Sequence, residues 1–303
     1  MKGKISFNPD AIHHIYTISE DGGIIFYSEF DYLVFFTILC TSARRYGVTI
    51  VSVCIMRNHV HLGVIAEDKA IITRFMKSII GTFVKEYNSR NGSYTLKFKR
   101  SFGIAGKNGE KEKRTCIIYI ANNGVDKKGS SSTIEYKWNF LKYIDNPHPY
   151  SEKVVIRRLT PRMSSAMSAI RTCFNNGHII RYSFFENVYR NLSMLEKKQI
   201  KDYIISTYNV INYKAAIALF NTVEKMLTAM EASTGKEFDV GEEYVYEDYR
   251  HYDSLVSIAC KNKLIGPSGQ LVCTRESIAA VSRLFRYNTY ASELEINRFL
   301  HCF

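Results

Sequence analysis

His13 to Ile18, with Ile15, Tyr16 and Ile18 as its apolar positions, reads as a strand. Gly22-Gly23 then turns the chain, and Ile24 to Tyr27 reads as a short second extended piece. Ser28, with Asp31 three residues on, resembles an N-cap, and the apolar run behind it predicts a helix to Arg45. Gly47 supplies the left-handed residue that closes such a helix. Val48 to Met56 alternates, Arg57-Asn58 turns, and His59 to Ile65 returns as an antiparallel neighbour. From Ala70 to Tyr87 the apolar positions Ile72, Phe75, Met76, Ile79, Ile80 and Phe83 have helical spacing. Asn91-Gly92 leads into an expected strand, Tyr94 to Lys99. Gly103 to Lys113 reads as a polar, Gly/Lys-rich loop, and Arg114 to Asn122 as an apolar segment of helical or mixed character. This β-α-β-β-α-β order predicts an α+β fold, with helices covering an antiparallel sheet.

The second half changes period. Met163, Met167, Ile170 and Phe174 mark a helix stopped by Gly177, and Ser193-x-x-Glu196 is a capping box opening a helix through Thr207. Asn212 is expected to open one more, continuous through Met230. Glu237 to Asp253 is acidic and reads as a linker or exposed loop. Two closing helices, Thr274 to Tyr287 and Ser292 to Cys302, have the look of a helix-turn-helix-like unit. The expected division is an α+β domain over residues 1–150, an all-α extension over 151–236, and a linker with the helix-turn-helix-like unit over 237–303.

Composition narrows the partner. The chain of 303 residues carries a formal charge of +12, which points to an anionic partner, nucleic acid ahead of membrane. The longest apolar stretch, Tyr32 to Cys40, is far too short to cross a bilayer, and the start Met1-Lys2-Gly3-Lys4 runs into polar sequence rather than a signal core. Seven cysteines, odd in number and without a CxxC pair, argue against a disulfide framework or zinc ribbon and for a reducing cytoplasm. Much of the positive charge lies between Lys85 and Lys142, with Tyr94, Phe98 and Phe102 among it, a mix suited to neutralising phosphates and stacking bases. The candidate nucleic-acid contacts are Lys97, Lys99, Arg100, Arg114, Lys127 and Lys128, joined by Arg283, Arg286 and Arg298 of the last two helices.

The chemistry sits in Met56-Arg57-Asn58-His59-Val60-His61-Leu62. Residues i and i+2 of a strand share a face, so His59 and His61 can aim two imidazoles at one metal ion. The spacing alone equally describes a half-buried strand whose histidines bond locally. Downstream, Tyr119 and Asn123 stand four apart, on one face of a helix. If that face meets the histidine strand, two imidazoles and an amide oxygen surround a cation with a phenol beside them. Such a set suits Mg²⁺ or Mn²⁺ acting as a Lewis acid on a phosphodiester, with Tyr119 as nucleophile. Tyr143, in Tyr143-Ile144-Asp145-Asn146-Pro147, is the second candidate. His13, His148, His178, His251 and His301 receive no functional reading.

The order of His14, Ile25-Phe26-Tyr27, Met56 to Leu62, Tyr119-Ile120-x-x-Asn123-x-Val125 and Tyr136-Lys137-Trp138 resembles the single-tyrosine HUH transposases, especially the REP-associated kind, over residues 8 to 150. The resemblance implies a ferredoxin-like HUH domain that cleaves and rejoins single-stranded DNA at or near hairpins. It implies His59, His61 and Asn123 as metal ligands and Tyr119 as a nucleophile forming a 5′-phosphotyrosine link, with no ATP. Two departures stand out: Arg57 where the family often has Pro before Asn-His, and Gly124 where it often has Pro, a change expected to loosen the helix end. Relaxases, with a third histidine upstream, and rolling-circle initiators, with a lysine three residues after the tyrosine, fit less well. The expectation is therefore a DNA strand-transferase with Mg²⁺ or Mn²⁺, partnered by single-stranded or hairpin DNA, cytoplasmic and nucleoid-associated in a bacterium. A homodimer stays open. The alternative is a non-catalytic, domesticated hairpin-binding or regulatory protein.

Overall fold

The computed structural model describes residues 7–19, 24–91, 98–99, 101–124, 132–233, 250–265, 271, 273 and 276–300. The expected strand at Tyr94 to Lys99 falls mostly outside them, as does most of the acidic stretch from Glu237. Four strands, β1 (Ile12–Ile18), β2 (Thr49–Ile55), β3 (His59–Ile65) and β4 (Gly103–Lys107), form one antiparallel sheet in the order β2-β3-β1-β4. With α1 (Glu29–Tyr46), α2 (Lys69–Asn91) and α3 (Glu110–Asn122) between and after them, the first part is an α+β domain of ferredoxin-like order.

The strands sort their side chains by period two. Val60, Leu62 and Val64 of β3 join Ile15 of β1 in a core with α1 and α2. His59, His61 and Gly63 therefore face the opposite way, toward α3. β2 keeps this sorting only because of a register shift between Ile50 and Ser52, where Val51 is the extra residue. Ile50 before that bulge and Val53 and Ile55 beyond it all point to the first core, and Cys54 stands opposite His61. Helix α1 is buried on every side from Asp31 to Ala43, so it needs a third neighbour besides the sheet and α2.

The extension provides it. Helices α4 (Pro161–Asn175), α5 (Tyr182–Asn187), α6 (Met194–Tyr208), α7 (Tyr213–Ala218) and α8 (Val223–Ala232) follow, then α9 (Arg250–Lys261), α10 (Ile278–Asn288) and α11 (Glu293–Leu300). Helix α6 lies along α1. Tyr182 donates its hydroxyl to the buried carboxylate of Asp31 (2.7 Å), which also accepts the N–H groups of Tyr27 and Ser28 at the start of α1. Asn212 donates its N–H to the carbonyl of Ile50 (2.7 Å), covering the open edge of β2.

Several sequence expectations change here. Ile24 to Tyr27 is not a strand: its backbone folds onto the β2–β3 turn, with Ile25 and Phe26 both donating to the Arg57 carbonyl (2.7 and 3.0 Å). Gly103 to Lys113 is not a loop but β4 and the first turn of α3. The Tyr16 ring covers Gly103 so closely that a Cβ would lie 1.9 Å from it, which is why the strand carries glycine there. The single helix expected from Asn212 to Met230 is two, broken where Asn221 takes φ 70° and Thr222 caps α8 by accepting from Lys225 N (3.2 Å).

Candidate active site

Helix α3 is set on the sheet by its own first turn. The Glu112 carboxylate accepts the N–H groups of Asn108 (2.9 Å) and Gly109 (3.3 Å), closing the helix start, and Lys113 reaches the Asp10 carbonyl (2.7 Å). Further along, Ile120 rests on Gly63. A Cβ there would meet Ile120 Cδ1 at 3.2 Å, so the missing side chain lets the helix approach β3 closely. That approach brings Tyr119 over the histidine strand.

The Tyr119 ring, 7% exposed, stands edge-on to two imidazoles, with centroids 5.6 Å from His61 and 5.5 Å from His14. His59 completes the row, 5.0 Å from His61 and nearly perpendicular to it. His14 belongs here because β1 pairs with β3 so that Tyr16 lies opposite His61 and His14 opposite Gly63, on the same face. Sequence reasoning used His14 as a marker of resemblance and gave it no role. Strand alternation could have put it on one face with Tyr16, but not beside His61, because the β1–β3 register is not written in either strand alone.

The bonds around these rings are specific. His14 Nε2 and His61 Nδ1 share a hydrogen bond of 2.9 Å, and His59 Nδ1 bonds the Asn58 side-chain oxygen. Burial pulls His14 down to about 4, with the Lys107 charge acting in the same direction, and burial pulls His59 to about 4 as well. His61 is held well below its ordinary range by burial, then by the neighbouring His59 and His14. All three rings are thus neutral near pH 7, the form in which an imidazole nitrogen ligates a metal. Among the described residues no group of three or more His, Cys, Asp or Glu is arranged to hold a metal ion. The donors gathered here are neutral imidazoles, a set whose chemistry fits a divalent cation balanced by a phosphate's own charge.

Asn123 caps α3, and its Nδ2 donates back to the Tyr119 carbonyl (2.8 Å). Gly124 does more than loosen the helix end. The Tyr136 ring lies where a Cβ would be, 2.1 Å from that position, while its hydroxyl donates to the Ile55 carbonyl (2.8 Å). Glycine here thus holds the segment 132–143 against β2. Trp138 of that segment stacks on Tyr32 at 4.3 Å.

The second tyrosine candidate is spent elsewhere. Tyr143 donates to Asp202 of α6 (2.6 Å) in a buried contact, with its hydroxyl pushed upward by burial and by that carboxylate. His13 bonds the Asn8 carbonyl (3.0 Å) and stacks on Phe7, a structural role. Of the basic candidates, Lys99 is exposed beside the end of β1, where its N–H reaches the Ile18 carbonyl (2.9 Å). Arg114 lies on α3, shared between Glu110 and the Leu219 carbonyl (3.4 Å each). Arg283 and Arg286 are exposed on α10, with Arg286 paired to Glu293, and Arg298 lies on α11. Lys97, Arg100, Lys127 and Lys128 lie outside the described residues.

With tyrosine, histidine row and sheet register together, the comparison with known families has a structural counterpart. Residues 11–123 match the family model described as Transposase IS200 like. The match begins at β1 and ends one residue past α3, the span that carries every ring of the site. It is consistent with the single-tyrosine HUH transposases that the sequence resembles, and it supports an enzyme of the transposase kind, a metal-dependent class that binds DNA. No curated protein and no solved structure matches the chain. Among the described residues, no helix is long and apolar enough to cross a membrane.

Proposed function

We propose that the chain cuts and rejoins single-stranded DNA at or near hairpins by way of a 5′-phosphotyrosine on Tyr119. The observation that carries this reading is the Tyr119 ring standing edge-on to His61 and His14, with His59 next in the row. His59, His61 and the Oδ1 of Asn123 would hold Mg²⁺ or Mn²⁺. Bound there, the cation supplies Lewis-acid polarisation of a non-bridging phosphate oxygen. The phenolic oxygen forms a bond to phosphorus as the P–O3′ bond breaks, and the phenolic proton ends on the departing 3′-oxygen. Attack by a 3′-hydroxyl reverses the step, returns the proton to Tyr119 and reseals the strand, so bond energy is conserved.

The remaining residues serve binding. Lys107, whose charge already bears on His14, sits on β4 at the edge of the site and would neutralise phosphate. Lys97, Lys99, Arg100, Arg114, Lys127 and Lys128 would extend that path, and Arg283, Arg286 and Arg298 would contact the backbone from α10 and α11.

The test is incubation of the full chain with hairpin-bearing single-stranded DNA and Mn²⁺ or Mg²⁺. A covalent protein–DNA adduct is expected, absent in Tyr119→Phe and in the double change His59→Ala, His61→Ala. An adduct that survives Tyr119→Phe moves the nucleophile elsewhere and overturns the assignment. Tight hairpin binding with no adduct in either metal identifies a non-catalytic binding protein instead.

A further inference from the structure

We propose that His14 is a positioning residue, whose imidazole accepts the Nδ1–H of His61 and so turns the Nε2 lone pair of His61 to the cation. The proposal deepens the metal-dependent reading above and rests on it. An imidazole offers a metal only the nitrogen that carries no proton, and the hydrogen bond made by its other nitrogen selects which one that is. At His59 the selection follows from chemistry: the Asn58 side-chain oxygen can only accept, so His59 donates from Nδ1 and keeps a lone pair on Nε2.

His61 reaches the same state by a different route. Its Nδ1 meets a second imidazole, His14 Nε2, at 2.9 Å. Either ring could donate across that bond. Only donation by His61 leaves both histidines of the pair with matching Nε2 donors, and it requires the His14 proton to sit on Nδ1. Both rings are almost wholly buried, at 1% and 2% exposed, so water does not compete for the bond. The rings are also nearly parallel, 14° apart, which restricts His61 rotation about its Cβ–Cγ bond. β1 supplies the anchor and β3 the ligand, through the register that puts His14 opposite Gly63, where no side chain intervenes.

Two measurements test this. In the metal-free full chain, long-range ¹H–¹⁵N spectra of the imidazoles should show His61 and His59 as Nδ1–H tautomers and His14 also as Nδ1–H. His61 found as the Nε2–H tautomer overturns the proposal without any variant being made. Manganese titration of His14→Ala should show affinity lowered about 10- to 100-fold, the range for loss of a ligand's anchoring partner. His14→Gln, whose side-chain oxygen can still accept, should regain most of it. A folded His14→Ala that binds Mn²⁺ as the parent does overturns the proposal. So does an electron-spin-echo spectrum of the bound Mn²⁺ with three coordinated imidazoles falling to two in His14→Gln, because His14 would then be a ligand itself. Failure of the DNA reading is distinguishable. A parent chain that forms no adduct, yet binds Mn²⁺ in a His14-dependent way, loses the cleavage step and keeps the positioning role.

Discussion

His14 and His59 hold their imidazoles neutral down to about pH 4 in the folded chain, whereas the same rings in the unfolded chain take up protons below about 6.5. Between those limits the unfolded state binds more protons than the fold, so stability rises with pH across the window. The contribution is complete above pH 6.5 and is lost progressively as pH falls toward 4. Urea denaturation of the metal-free protein at pH 7.0, 5.5 and 4.5 should therefore show a falling midpoint. His14→Gln, with no titrating group at that position, should show a shallower fall. A pH-independent midpoint over this range would contradict the burial that sets both shifts.

At the scale of elements, α3 and β3 fit together because Gly63 is bare. Gly63→Val would push two methyl groups into Ile120 and lift α3 off the sheet, taking the Tyr119 ring away from His61. The expected result is a loss of about 1–3 kcal/mol in stability by urea titration, as for overpacked sites. Adduct formation should fall far more than stability, and Mn²⁺ binding should weaken with it, since Asn123 leaves with α3 and a side chain at position 63 intrudes opposite His14. Adduct yield equal to the parent's would show that the helix–strand distance does not govern the tyrosine.

The same elements explain what the sequence could and could not tell. β1, β2, β3, α1 and α2 announce themselves, because each has a buried face whose period is written in Val, Ile, Leu and Phe, and α1 adds Ser28 and Gly47 at its ends. β4 does not, since Gly103 and Gly106 are shaped by the Tyr16 and His13 side chains of the neighbouring strand rather than by a pattern of their own. The break before α8 is hidden because Ala, Leu and Phe continue a helical period up to Asn221, whose left-handed backbone ends it. In the site, the histidine pair was visible from spacing two, and the reach of Tyr119 was not, because it depends on how far α3 sinks onto Gly63.

Across the whole molecule, the far end of α3 is tied into its own chain. Asn122 donates to the Met230 carbonyl of α8 (2.9 Å), Thr133 donates to Asn122, and Asn139 donates to the Thr133 carbonyl (2.6 Å), all buried. Met226 and Met230 pack with Cys116 and Ile117 on the helix between. On the other flank, the Arg57 guanidinium, in the turn before His59, lies over the Tyr252 ring at 4.2 Å and pairs with Asp253 (2.9 Å). Both ends of the site are thus braced by the extension, and swapping α3 into a second copy would break the buried bonds at Asn122. Mixing Tyr119→Phe chains with His59→Ala, His61→Ala chains should therefore restore no adduct. Restored activity would show that the helix is exchanged. Tethered in this way, α3 is expected to serve its own polypeptide: turnover by the proposed Tyr119 chemistry should scale linearly with protein concentration, down to dilutions at which no two copies meet.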